Sequence, residues 1–138
     1  MFPAISKRLK GILLYSDYEA LMLSLGLEAI VVGLWLLNPF IDTFAASRTY
    51  SAMDTAMPEE AWGLVFFLIG ATLNFGVLRD WPCKYLEITI FLMIVALIFT
   101  CSMFAYSNIA VIGVPVWISD IVSAVWVLFR LRRESRNV

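Results

Sequence analysis

The sequence predicts an all-α fold, a four-transmembrane-helix bundle preceded by an N-terminal interfacial amphipathic helix. First, 62% of the 138 residues are hydrophobic and 15% are charged, whereas soluble domains have roughly 45–50% and 25%. The mean hydropathy is +0.86, so much of the apolar surface must face something other than water. Second, four apolar stretches are each long enough to cross a hydrocarbon core about 30 Å thick as a helix. They are residues 20–40, 61–78, 86–106 and 109–129.

We expect the spans to be helices, because bilayer hydrocarbon offers backbone groups no hydrogen-bond partner and four strands cannot close a barrel. Residues 1–138 then form a single multi-pass membrane domain surrounded by the lipid bilayer. Nine of the ten Lys and Arg residues lie before the first span, between the second and third, or after the fourth, and Arg48 alone lies on the other side. By the positive-inside rule both termini are expected to be cytoplasmic, with residues 130–138 as a basic tail.

The first 19 residues are interpreted as a cytoplasmic, interfacial segment. Apolar residues recur at intervals of three and four between positions 2 and 13, and three cations occupy the remaining arc. This spacing is typical of an amphipathic helix lying in the membrane interface. A disordered basic tail is the alternative, because Pro3 and Gly11 weaken a helix.

The long connection at residues 41–60 is expected to be a surface loop or a short helix. It leads into a well-specified start of the second span. Pro58 suits a first helical position, and Glu59 and Glu60 lie near the positive end of the helix dipole. Trp62 is expected at the level of the lipid headgroups.

Small residues in three spans indicate surfaces where helices pack closely, since lipid is as apolar as leucine and close approach is what holds such helices together. The sets are Ala29 with Gly33, Gly63 with Gly70, and Ser119 with Ser123. These surfaces fit ordinary packing within the chain, and a dedicated homodimer contact is the alternative.

The composition excludes several classes of function. A net charge of -1 and the absence of a large basic patch exclude a nucleic-acid partner. The sequence has no histidine, which removes the usual general base and the commonest zinc ligand. Cys83 and Cys101 form no CxxC pair and lie at different depths, so neither a redox site nor a disulfide is expected. We therefore expect no enzyme, no catalytic residue, no cofactor and no metal.

Two acidic residues inside the spans are the chemically unusual feature of the chain. Glu28 in the first span and Asp120 in the fourth lie at matching depths, and no span contains Lys or Arg. Burial and a like-charged neighbour both favour the protonated form, so at least one is expected to carry a proton. Together with Asn74 they form a candidate proton or cation site. In the alternative, each acid is a protonated structural donor to a backbone carbonyl or to Asn74, Ser24 or Ser123.

The fourth span is expected to pair with the third as an antiparallel hairpin joined through Ser107 and Asn108. Within it Pro115 removes one helical hydrogen bond and frees the carbonyl of Val111. Because the proline lies near Asp120, it is a candidate hinge, and a static bend is the alternative.

One resemblance covers the whole chain. The span start Pro58-Glu59-Glu60-Ala61-Trp62-Gly63 and the terminal cluster Arg130-Leu131-Arg132-Arg133, in a very small four-span protein, resemble the small membrane proteins of tailed phages, including holin-like ones. The resemblance is one of composition, and it assigns no functional residue.

Two hypotheses of function follow from the sequence. The first is a non-enzymatic protein that acts by helix association, as a homo-oligomer or as an accessory subunit of a larger membrane assembly, with a phage-type membrane-perturbing role as one version. The second is a small proton- or cation-coupled transporter or channel that uses Glu28 and Asp120. The position of the two carboxyl groups distinguishes the two hypotheses, because a transporter requires both groups to face one cavity.

Overall fold

The computed structural model describes residues 2–46, 50–106 and 113–137, and every regular element in these ranges is helical. The all-α prediction is therefore confirmed for the described part of the chain. The helices are α1 (Phe2–Tyr15), α2 (Asp17–Leu36), α3 (Thr43–Ala46), α4 (Ser51–Ala56), α5 (Glu59–Leu78), α6 (Cys83–Tyr106) and α7 (Gly113–Asn137).

Three helices are long and apolar enough to cross a membrane, namely Asp17–Leu36, Glu59–Leu78 and Cys83–Ala105. They correspond to the first three predicted spans and support a membrane-embedded protein. The predicted fourth span begins outside the described residues, where Ser107, Asn108 and Val111 also lie. Its remaining part belongs to α7, and the number of passes stays a prediction.

Four long helices, α2, α5, α6 and α7, pack around one cluster of buried apolar side chains. The most extensive contact joins α2 to α5, α6 packs against α7, and smaller contacts join α5 to α6 and α2 to α7. Neighbours run in opposite directions, so α2 begins and α7 ends at the same end, which we call the terminal end. There the Tyr18 hydroxyl donates a hydrogen bond to Glu134 over 2.6 Å.

Glycines make the α2–α5 contact close. Gly26 lies against Gly70, and Gly33 lies against Gly63. The two contacts are seven residues apart on each helix. A Cβ atom on Gly33 would lie 2.6 Å from the backbone nitrogen of Phe67 and 2.7 Å from the carbonyl oxygen of Gly63. Small residues in both helices are therefore used for packing within the chain, as the structural interpretation of these surfaces predicted.

The first span ends four residues earlier than predicted. α2 ends at Leu36, and Leu37 caps it by donating its N–H to the Gly33 carbonyl over 3.0 Å. Pro39 explains the difference, because it lacks an N–H and disfavours a helical conformation at the residue before it. Phe40, which was predicted inside the span, is 94% exposed.

At the terminal end α1 packs against the start of α2 through the fully buried Ile12. Residues 2–15 are thus helical rather than a disordered tail, although Leu14 is 72% exposed. Nη2 of Arg8 lies 3.1 Å from Oε1 of Glu19 and 2.8 Å from Oδ1 of Asp80. One guanidinium therefore connects α1 to α2 and to the α5–α6 turn.

At the opposite end, which we call the α3/α4 end, Glu59 holds α3 in place. Its two carboxylate oxygens accept the backbone N–H groups of Thr43 and Phe44 over 3.0 and 3.1 Å. Trp62 is 2% exposed, and its Nε1 donates to the carbonyl of Met53 over 3.1 Å. Trp62 therefore packs inside the protein, where it attaches α4 to α5, rather than against lipid headgroups.

Candidate functional site

Glu28 and Asp120, which we call the carboxyl pair, line one small cavity among the four long helices. The two side chains belong to different helices, α2 and α7, and line the same space. Two carboxylates offer only acceptor oxygens, so a hydrogen bond between them requires a proton on one. The structure therefore brings together the two acids that the sequence predicted at matching depth.

The remaining walls of this central cavity are apolar and come from all four long helices. They are Leu25, Ala29 and Val32 of α2, Phe66 of α5, Met93 and Leu97 of α6, and Trp117 of α7. The cavity has a volume of about 30 Å³, which is room for two or three water molecules at ~10–15 Å³ each. Glu28 is exposed at its side, between α2 and α7, and Asp120 is half-buried. The pair thus lies at the edge of an apolar cavity that excludes a hydrated ion.

Asn74, the third predicted member of the site, lies elsewhere. Its side chain reaches the backbone of α2, where the amide nitrogen can donate to the Leu23 carbonyl over 3.1 Å and the amide oxygen can accept from the Leu27 N–H over 3.2 Å. It does not line the central cavity. The geometry assigns Asn74 to helix packing, beside the Gly26–Gly70 contact.

Pro115, the predicted hinge, is the third residue of α7 as described. In the first turn of a helix the missing N–H breaks no hydrogen bond within that helix. Its predicted partner, the carbonyl of Val111, lies outside the described residues. The hinge therefore stays a prediction.

A second cavity lies beside the first, toward the α3/α4 end, and we call it the aromatic cavity. Its volume is about 290 Å³, and it shares Val32 and Trp117 with the central cavity. Its other walls are Val31, Trp35, Leu36, Thr43, Tyr50, Met53 and Phe104. The hydroxyl oxygen of Thr43 is buried and has no hydrogen-bond partner among the described residues. Burial, and to a lesser extent the Glu59 carboxylate, raises the pKa of Tyr50.

A third cavity of about 400 Å³ opens at the α3/α4 end and shares Leu36 with the aromatic cavity. We call it the acidic mouth because four of its lining residues are acids, Asp42, Asp54, Glu59 and Glu60. Arg48, predicted at this end, lies outside the described residues. Among the described residues, no group of three or more His, Cys, Asp and Glu side chains is placed to hold a metal ion.

The aromatic cavity is not among the predicted sites, although the sequence carries a signal for it. Val32 and Trp35 follow Glu28 by four and seven residues, and Trp117 precedes Asp120 by three. Residues at these spacings share one face of a helix. An aromatic side chain on the same face as each intramembrane acid was therefore readable from the sequence.

The chain matches no protein-family model, no curated protein and no solved structure.

Proposed function

We propose that this is a non-enzymatic integral membrane protein that binds a proton and a monovalent cation in alternation at Glu28 and Asp120, and so couples movement of the two. The observation that carries the proposal is the shared cavity: carboxyl groups from two different helices meet in an otherwise apolar space. Intramembrane acids that face a cavity are costly to insert, and they commonly mark proton and ion pathways.

The chemistry requires only the groups present. With one shared proton, the pair carries a single negative charge. When a monovalent cation takes the place of that proton, the site keeps the same net charge, because both ions carry one positive charge. The described walls of the central cavity hold no Lys or Arg that would compete for the carboxylates. Proton release and cation binding are therefore coupled through one pair of side chains.

The proposal includes four spans with both termini in the cytoplasm. The three apolar helices support embedding in a membrane, and the excess of Lys and Arg on the side of the termini supports this orientation. The terminal end also gathers several ion pairs, including Arg132 with Glu87 at 3.9 Å. Such charges are stable at a membrane surface and costly within the hydrocarbon.

Labelling with dicyclohexylcarbodiimide tests the site, because this reagent adds to protonated carboxyl groups in apolar surroundings. We expect intact mass spectrometry to show one reagent per chain, lost in Glu28→Gln or Asp120→Asn. Asp17→Asn, at the exposed start of α2, is the matched control and should label as wild type does. In proteoliposomes with an imposed pH gradient, wild type should exchange protons for a monovalent cation and both pair variants should not. Flux that is absent in wild type, or unchanged in both variants, contradicts the proposal.

Association is the second candidate, either as a homo-oligomer or as an accessory subunit that includes the phage-type role. The observation that favours it is on α7, where Ser119 is exposed, in contrast to the internally packed Gly33 and Gly63. Large apolar residues beside it, such as Val122 at 64% exposure, would allow a second helix to pack there. Mass measurement of the protein in mild detergent tests this candidate, and a monomer without a co-purifying chain contradicts it.

A further inference from the structure

The three cavities form one series from the α3/α4 end to the carboxyl pair. The acidic mouth and the aromatic cavity share Leu36, and the aromatic and central cavities share Val32 and Trp117. The shared side chains form part of the wall between neighbouring cavities. A ligand entering at the α3/α4 end therefore meets the acidic mouth first, then the aromatic cavity, and then the carboxyl pair.

Toward the terminal end the same core is closed. Beyond the pair, each long helix contributes apolar side chains with at most 5% exposure, namely Met22 and Leu25 of α2, Leu73 of α5, Ile90 of α6 and Val127 of α7. Close-packed side chains of this kind leave no space for a water molecule. Within the described residues, this series of cavities therefore approaches the pair from the α3/α4 end, while Glu28 is also exposed at the side of the bundle.

The lining indicates the chemical class of the ligand. Acids at the mouth attract cations, and the faces of aromatic rings bind ammonium groups by cation–π attraction. The aromatic cavity presents Trp35, Tyr50, Phe104 and Trp117, with few oxygen atoms to replace the water around an inorganic ion. The hydroxyl of Thr43, which has no partner within the described ranges, offers one hydrogen bond to a polar atom. A volume of about 290 Å³ is close to the smallest usual volume of small-molecule sites, which is ~300 Å³.

Trp117 lies between the aromatic cavity and the central cavity. Its ring packs edge to face against Phe66 at 5.6 Å and against Phe104 at 5.9 Å between centroids. It is on the same face of α7 as Asp120, one turn away. A rotation of this side chain would enlarge the space between the aromatic and central cavities, whose shared wall also includes Val32.

We infer that an organic ammonium ion enters from the α3/α4 end, binds in the aromatic cavity, and reaches the carboxyl pair past Trp117. This inference rests on the proposed function, since the pair is the destination. It adds the ligand class, the side of entry and the gating residue.

The test uses wild-type protein in vesicles, with orientation read from protease cleavage of a C-terminal tag. Choline, a membrane-impermeant quaternary ammonium ion, is added to one side, and carbodiimide labelling of the pair is followed in time. We expect choline to slow labelling only from the side opposite the tag, and sodium at the same concentration to have little effect. Equal protection from both sides, protection from the tag side alone, or equal protection by sodium overturns the inference.

Two variants and one control variant sharpen the result. Trp35→Leu should weaken choline protection by roughly fivefold, the scale of one cation–π contact. Trp117→Phe, which keeps an aromatic ring, should make protection faster, and Trp126→Phe, near the terminal end of the same helix, should leave it unchanged. If neither cation protects the pair from either side, the proposed function fails together with the inference. If choline protects from the wrong side, only the inference fails.

Discussion

Gly33 of α2 and Gly63 of α5 lie directly against each other, so closely that a Cβ atom on Gly33 would lie 2.7 Å from the Gly63 carbonyl oxygen. Backbone atoms of Phe67 come equally near. Neither neighbour is the end of a flexible side chain, so the helices themselves would have to separate to admit a methyl group.

We expect Gly33→Ala to lower the free energy of unfolding by about 1–3 kcal/mol, the usual cost of overpacking a close contact. The measurement is denaturant unfolding in a fixed detergent, followed by circular dichroism. Gly11→Ala is the matched control, because a Cβ there meets nothing within 4 Å and alanine favours a helix. A Gly33→Ala protein as stable as the Gly11→Ala protein would show that the two helices are not in close contact.

Asn74 supplies a polar contact within the same α2–α5 interface. Its amide reaches the Leu23 carbonyl and the Leu27 N–H, both of which also take part in the hydrogen bonding of α2. We expect Asn74→Ala to reduce stability by about 0.6–1.7 kcal/mol, the range measured for polar contacts between membrane helices. Ser102→Ala is the control, since that exposed hydroxyl bonds only to its own helix at Ile98. Equal losses in the two variants would argue against the interhelical contact. Proton exchange at the carboxyl pair should survive in Asn74→Ala.

The level of a residue along the bundle could be predicted from the sequence, but rotation about a helix axis could not. Hydropathy located three spans to within a few residues and placed Glu28 and Asp120 at one level. It did not distinguish these acids from Asn74, because the direction of a side chain depends on the neighbouring helix. The same limit explains Trp62, whose position near a span end suggested headgroups and whose ring is buried.

Sequence-distant contacts were also beyond prediction. The two oxygens of Glu59 were expected to interact with the dipole of their own helix, yet they cap α3 as well. Arg8 was predicted on the polar arc of an amphipathic helix, and it instead bonds to an acid 72 positions away. Both contacts depend on how the loops bring distant helices together, and local sequence patterns do not determine this.

Asp80 has two roles in the turn after α5: its backbone forms the turn, and its side chain pairs with Arg8. Its φ of 56° is left-handed, and the N–H groups of Asp80 and Trp81 donate to Val77 and Gly76 as in a Schellman motif. Aspartate is strained in this conformation, where glycine is not. We therefore expect Asp80→Gly to leave the unfolding free energy equal or raise it by up to about 1 kcal/mol, although it removes the ion pair with Arg8.

The same substitution should loosen α1. The Arg8–Asp80 pair is largely exposed, with Asp80 at 76%, so its contribution is below about 1 kcal/mol and falls with added salt. We expect hydrogen exchange of the α1 amides to accelerate up to about fivefold in Asp80→Gly, and more in Arg8→Ala, which also loses Glu19. Lys10→Ala is the control on the same helix. Unchanged exchange in Arg8→Ala would show that α1 is held by Ile12 alone.

Tyr50 gives the α3/α4 end an alkaline pH dependence. Its ring stacks on Phe44 at 5.3 Å, and burial, followed by the nearby Glu59 carboxylate, raises the pKa of its hydroxyl. A raised pKa in the folded state means that the folded protein holds this proton more tightly than the unfolded chain. Stability from this residue is therefore fully present below about pH 10, the pKa of an unfolded tyrosine, and is lost as the pH rises through the folded pKa.

The tyrosinate absorbance of wild type minus that of Tyr50→Phe isolates this titration. We expect this difference absorbance to appear at a higher pH than that of a free tyrosine. In Glu59→Gln the transition should shift only part of the way back toward the pH of a free tyrosine, because burial is the larger cause of the raised pKa. Tyr85→Phe, at the terminal end, is the control and should leave the high-pH transition of Tyr50 unchanged. A difference curve centred at the ordinary tyrosine value would mean that the aromatic cavity is open to water, and choline would then meet a hydrated site instead of an aromatic one.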